Sequence, residues 1–84
     1  MIERIFCVQV DLEVKPASLF VQKASRFECA VYIKDGDNMI NAKSILGMIS
    51  IGITKEKKIT LVTDGSDEED AMEELMNFFL LKDE

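Results

Sequence analysis

Ala30-Val31-Tyr32-Ile33-Lys34-Asp35-Gly36-Asp37-Asn38-Met39-Ile40-Asn41-Ala42 decides the fold, because it forces two strands to lie side by side. Ala30–Lys34 is rich in β-branched and aromatic residues and reads as a strand. Asp35-Gly36-Asp37-Asn38 is a strong turn signal, and Met39–Ala42 returns from it as a short strand. Upstream, residues 2–10 put Phe6, Val8 and Val10 on one side at period two, another strand. Asp11–Lys15 is a short loop, and Pro16 sits where a first helical residue belongs, since its missing N–H costs nothing there. Ala17, Phe20, Val21, Ala24 and Phe27 then form the apolar stripe of an amphipathic helix, with Leu19 off the stripe and exposed.

Downstream of the hairpin, Ser44 caps a short helix through Ser50 or Ile51, with Gly47 inside it and Gly52 ending it. Lys55, Lys57 and Lys58 read as a charged loop before a strand over Lys58–Thr63, which has Ile59 and Leu61 on one face and Thr60 and Val62 on the other. Asp64-Gly65 turns the chain. Ser66-Asp67-Glu68-Glu69 reads as a capping box, its acids favoured by the helix dipole. Ala71, Met72, Leu75, Met76, Phe78 and Phe79 form the buried side of a last helix reaching about Leu81. The order β-α-β-β-α-β-α, with three helices on one face of a small sheet, predicts an α+β fold in a single domain over residues 1–84, without repeats or linkers.

Composition excludes more chemistry than it indicates. The 84 residues contain no histidine, which removes a Ser-His-Asp triad, a Cys-His pair, imidazole-ligated zinc and phosphohistidine chemistry. Two cysteines, Cys7 and Cys29, sit among apolar neighbours and are expected to be buried, reduced thiols rather than a disulfide or part of a metal site. The net charge is −6, and nine acids against one base, Lys82, fall between Asp64 and Glu84. No basic stripe interleaved with aromatics offsets them, so nucleic acid is not an expected ligand. Six of those nine acids lie in the last helix and its cap and read as a solvated face. No apolar run approaches the ~20 residues of a membrane span. Met1-Ile2-Glu3-Arg4 lacks the pattern of a signal peptide, so the expected compartment is the cytoplasm. No phosphate loop, metal loop or nucleophile elbow is present, and no cofactor is expected.

Two positions stand out on spacing alone. At the start of the first helix, Glu13, Val14 and Lys15 include no good oxygen cap except Glu13. Free amides, the dipole and Lys15 favour an anion there, unless Glu13 or Asp11 folds back to satisfy those amides. In Ala42–Ile51, the residues Ile45, Leu46, Met48, Ile49 and Ile51 occupy nearly the whole helix circumference, so some must be exposed unless a partner covers them. Ser44 precedes them as an ordinary cap or as a site where phosphate would be stabilised by amides and dipole.

Lys15-Pro16-Ala17-Ser18-Leu19-Phe20-Val21-Gln22-Lys23-Ala24-Ser25-Arg26-Phe27 resembles the first helix of the histidine-containing phosphocarrier (HPr) family of the bacterial phosphotransferase system. Asn41-Ala42-Lys43-Ser44-Ile45-Leu46-Gly47-Met48-Ile49-Ser50-Ile51-Gly52-Ile53 is similar to its regulatory serine region. The resemblance implies an HPr-like open-faced sandwich: a four-stranded antiparallel sheet of order 1-4-2-3 with three helices on one face. The family's motif Gly-Ile-His-Ala-Arg-Pro-Ala corresponds to Asp11-Leu12-Glu13-Val14-Lys15-Pro16-Ala17, in a loop that is about two residues shorter. Pro16 and Ala17 match, Lys15 replaces the arginine, and Glu13 stands at the histidine position. The relay from phosphoenolpyruvate through enzyme I to sugar permeases is therefore closed to this chain by the family's route.

Ser44 matches the residue that the family's kinase/phosphorylase modifies. Ile45 and Leu46 match its apolar contact pair, joined here by Ile49, Ser18 and Leu19. The resemblance thus implies a non-enzymatic regulator like the histidine-less members that act through phosphoserine in catabolite repression. Its implied partners are the HPr kinase/phosphorylase and a catabolite-control-type transcription factor or metabolic enzyme. Domain-swapped dimers among such proteins point to a homodimer. Two alternatives stay open: a constitutive binding module in which Glu13 mimics phosphohistidine, and a phosphocarrier using Glu13 or Asp11 as acceptor.

Overall fold

Gly36 takes φ +62°, and with Asp37 it makes a two-residue turn between paired Asp35 and Asn38, the glycine-first pattern that matches strand twist. In the computed structural model, which describes residues 1–80, the elements are β1 (Ile2–Cys7), α1 (Val14–Ser25), β2 (Ala30–Asp35), β3 (Asn38–Asn41), α2 (Ile45–Ile51), β4 (Lys58–Asp64) and α3 (Glu68–Met76). The order of elements is the one the sequence predicts. β4 inserts between β1 and β2, giving a wholly antiparallel sheet of order β1-β4-β2-β3. Its register sets Phe6 opposite Ile59 and Ile33 opposite Leu61. Val31, Ile33, Ile59 and Leu61 thereby join Phe20, Ala24, Met48, Leu75 and Phe79 in one buried core beneath the helices. Phe20 lies with its ring centroid 5.3 Å from Phe78 and 5.2 Å from Phe79, so α1 is locked to the end of α3.

Five local expectations need correction. β1 ends at Cys7, not Val10. A turn at Thr54–Lys57 leaves no strand opposite residues 9 and 10: Val8 N–H still donates to Lys57 O at 2.8 Å, but Gln9 N–H turns away to Phe79 O at 2.8 Å. Cys7 is exposed, because it faces the side of the sheet without helices; only Cys29 is buried, and both are free thiols. α1 starts at Val14, which puts Pro16 third in the helix; the first intrahelical donor is Ala17 N–H, bonded to Glu13 O at 2.8 Å, so the proline's missing N–H is still harmless. The capping box does not form. Asp67, the N-cap of α3, instead accepts Glu28 N–H at 2.8 Å and Cys29 N–H at 2.9 Å, while Glu68 Oε1 accepts Gly65 N–H at 3.0 Å. α3 stops at Met76 because bonds from Phe78 N–H to Leu75 O and from Phe79 N–H to Met76 O tighten the chain into turns. Leu81 lies outside the described residues.

The carboxylates of this junction are pH-sensitive. The backbone amides, that of Glu28 first, hold the Asp67 carboxyl below its usual range. The Gly65 amide, and then the Met1 ammonium 3.0 Å away, does the same for Glu68. A carboxyl whose pKa is lowered by folding adds stability that is complete above its unfolded value, about 4, and is lost as the pH falls through the lower folded value. Acid denaturation between pH 5 and pH 2 is therefore expected to be shallower in Asp67→Asn than in the parent chain. Urea midpoints across that range provide the check; parallel pH curves would remove Asp67 from the acid-sensitive contacts.

Candidate functional site

α2 is built around one inward residue. Met48 is buried and Ile45 and Ile51 half-buried, which leaves Leu46 78% and Ile49 45% exposed. The expected surplus of apolar side chains is thus real, and it is concentrated on two residues. Ser44 is exposed at the N-cap, in extended geometry, and its Oγ accepts Gly47 N–H at 3.3 Å. A helix start leaves its first amides without intrahelical acceptors and carries the positive end of the dipole. An anion attached to Ser44 would meet both, with no core side chain to displace. The far end of α2 is fixed by Lys57, whose Nζ donates to Ile51 O at 2.7 Å and ion-pairs with Asp35 at 2.8 Å. In the sequence Lys57 reads as a loop charge, and nothing local marks it as a cap for α2.

The start of α1 is a separate place. Glu13 is its N-cap residue but makes no side-chain hydrogen bond to the helix. Asp11 Oδ1 accepts Lys55 N–H at 2.7 Å, and Leu12 N–H donates to Ile53 O at 3.0 Å. Neither acid folds back onto the α1 amides, which corrects the simpler expectation. Val14 and Lys15 are exposed. At the other end of α1, Lys43 Nζ donates to Phe27 O at 2.8 Å. α1 and α2 therefore run antiparallel, with Ser44 beside the C-terminal end of α1 and Glu13 beside the chain leaving α2. Ser44 and Glu13 thus sit at opposite ends of the α1–α2 pair.

Ser18 and Leu19 diverge as successive helix residues must. Ser18 is half-buried. Leu19, 49% exposed, lines a shallow depression with Gln22, Lys23, Arg26 and Phe78, on the flank where Lys23 pairs with Glu74 of α3 at 2.8 Å. It is turned towards α3, whereas Ile45, Leu46 and Ile49 share α2. Among the described residues no group of three acidic, cysteine or histidine side chains could hold a metal, and no helix is long and apolar enough to cross a membrane. Burial, and then its hydrogen bond with Asp67, pushes the Cys29 thiol up to about 11, far from the thiolate a nucleophile needs.

This sheet order under three helices, with an exposed serine at the α2 cap, defines the open-faced sandwich of small phosphocarrier proteins and their regulatory relatives. The family described as the PTS HPr component phosphorylation site matches residues 5–80, and the chain belongs to the HPr family. It is 44% identical over 71 residues to the HPr-like protein Crh of Halalkalibacterium halodurans, covering 84% of each chain. A crystal structure of the phosphocarrier protein HPr from Bacillus anthracis superimposes with a TM-score of 0.88 at 37% identity, covering 94% of this chain and 96% of the other. The crystal structure of Bacillus subtilis Crh, described as a catabolite repression protein forming a domain-swapped dimer, has a TM-score of 0.75 at 34% identity, covering 88% of this chain and 83% of that one.

Proposed function

We propose that this HPr-like protein is a non-catalytic regulator of carbon metabolism, switched by phosphorylation of Ser44 and read by a protein that docks on the exposed side of α2. One observation carries the reading: an exposed serine caps a helix whose next turns display Leu46 and Ile49 to solvent. Phosphorylation adds about −1.5 to −2 charge beside that apolar surface, and the helix amides and dipole stabilise it there. The kinase/phosphorylase of the family is the modifying partner. A catabolite-control-type transcription factor or a metabolic enzyme is the reader, in the cytoplasm. Ile45, Leu46 and Ile49 form the docking surface, while Leu19 lies apart from it on the α3 flank of α1. A homodimer is the assembly suggested by the swapped relative.

Incubation with ATP and an HPr kinase/phosphorylase tests this. Intact-mass measurement is expected to show one added phosphoryl group on the parent chain and none on Ser44→Ala, whose lost cap costs only about 1 kcal/mol of stability. An unmodified parent chain under conditions that modify an authentic phosphocarrier would sink the proposal.

A second reading has an observation of its own. The Glu13 carboxylate is exposed at the start of α1 and makes no bond to the helix. It is thus free to present a constant negative charge where the family carries phosphohistidine. This constitutive mode requires partner binding that is lost in Glu13→Gln and indifferent to Ser44→Ala. The separation of the two positions lets single substitutions distinguish the modes.

A further inference from the structure

We propose that the outer edge of β1, from Glu3 to Cys7, accepts an extended basic segment of a partner protein as a fifth strand of the sheet. The hydrogen-bond pattern fixes which groups are available. Val8 N–H donates into the sheet, to Lys57 O, and Gln9 N–H points the opposite way, to Phe79 O. By strand alternation Ile2, Arg4 and Phe6 bond inward to β4, whereas the N–H and C=O groups of Glu3, Ile5 and Cys7 face outward. Among the described residues nothing hydrogen-bonds to these outward groups. β3, the other edge, has only four residues. An uncovered six-residue edge is a template for strand addition.

The surroundings select the occupant. On the helix side of the edge, Ile2, Arg4, Glu69, Met72, Glu73 and Met76 line a groove of about 500 Å³. Met72 and Met76 give it an adaptable apolar floor. Neither Glu69 nor Glu73 has an ion-pair partner among the described residues; Glu68 and Glu74 on the same helix are paired, with Met1 and Lys23. Lysine or arginine side chains at alternate positions of an added strand would lay their stems on this floor and bring their charges to the two carboxylates. The residues between them would face the open side of the sheet, where Ile5 is 69% exposed, and should be apolar. A second copy of this chain fits less well. Antiparallel pairing of β1 with its own copy, about a two-fold axis normal to the sheet, keeps both α3 helices on one face of the joined sheet, so Glu69, Asp70 and Glu73 would oppose their own kind. This surface lies away from Ser44 and does not depend on its modification.

The probe is a blocked heptapeptide alternating lysine with valine, titrated against the full chain by amide chemical shifts. Saturable shifts confined to residues 3–7 and to α3 are expected. Glu69→Gln with Glu73→Gln should weaken binding about tenfold, the effect of two exposed charge pairs. The same peptide N-methylated along one edge should not bind. Ile5→Pro should abolish binding without breaking the ladder to β4, since the N–H it removes faces outward; circular dichroism confirms its fold, and the N-methylated peptide makes the same test on an unaltered protein. The proposal is overturned if the lysine peptide gives no saturable shifts, if N-methylation changes nothing, or if the shifts fall on α1 and α2. It is also overturned if the chain instead self-associates through these amides in a way that Ile5→Pro abolishes.

Discussion

Gly65→Ala is expected to lower the melting temperature by roughly 12–24 °C, because it sets a methyl group against a backbone that has nowhere to go. Gly65 has φ +153°, which a side chain rarely adopts, and a Cβ there would sit 2.6 Å from Cys29 Cα and 2.7 Å from Cys29 Cβ. Cys29 cannot retreat freely. Its side chain is 1% exposed in the core, and its amide and that of Glu28 are held by the Asp67 carboxylate. Relieving the clash means shifting the start of β2 away from α3, which pulls the Glu28 and Cys29 amides off the Asp67 carboxylate. Backbone strain at such a position is of order 1–3 kcal/mol; with the forced shift the loss comes to about 3 kcal/mol, and each kcal/mol moves the midpoint of a domain this size by about 4–8 °C. Gly36→Ala is the control. Its φ is +62° but no atom lies within 4 Å of the added Cβ, so only the left-handed backbone penalty of about 1 kcal/mol applies. Equal losses in the two variants, measured by thermal unfolding, would show that the contact with Cys29 does not limit Gly65.

The same junction explains what could be read from the chain and what could not. Element order, the hairpin and the limits of α2 follow from signals a few residues long: Asp35-Gly36-Asp37-Asn38, the Ser44 cap and Gly52. The roles of Asp67 and Lys57 do not. Asp67 looks like part of a local cap, yet its ligands are amides 38 and 39 residues away, and the tertiary contact outcompetes the capping box. Lys57 sits in a basic run but serves the last carbonyls of α2 and an acid of the hairpin. At the site, Ser44 as a cap and a surplus of apolar residues on α2 were both legible, because they depend on helical period alone. That Ser44 and Glu13 lie at opposite ends of α1 was not, since the antiparallel course of α1 and α2 is set by contacts such as Lys43 with Phe27 and Leu12 with Ile53. The flank on which Leu19 lies is not legible for the same reason: its neighbours Lys23 and Phe78 are placed by α3.

Leu46→Ala is expected to leave stability within about 0.5 kcal/mol of the parent and to weaken binding of the phosphorylated protein to its regulator by about 30-fold, the roughly 2 kcal/mol of an interface hot spot. The two effects separate because Leu46 is 78% exposed in the free chain. It has little packing to lose on truncation and a full side chain to bury on docking. Met48, one turn-face away and 2% exposed, should behave oppositely: Met48→Ala costs about 2–5 kcal/mol of stability and affects binding only through the unfolded fraction. Ile45, half-buried, should show part of each effect. Calorimetric titration of the phosphorylated variants against a catabolite-control-type regulator, beside urea unfolding of the same samples, reads both axes. A docking surface requires binding loss to rise with exposure in the free chain while stability loss falls. If all three substitutions weaken binding only in proportion to the stability they cost, the exposed side of α2 is surplus apolar surface on a capped helix, and the phosphate on Ser44 would have to be recognised without it.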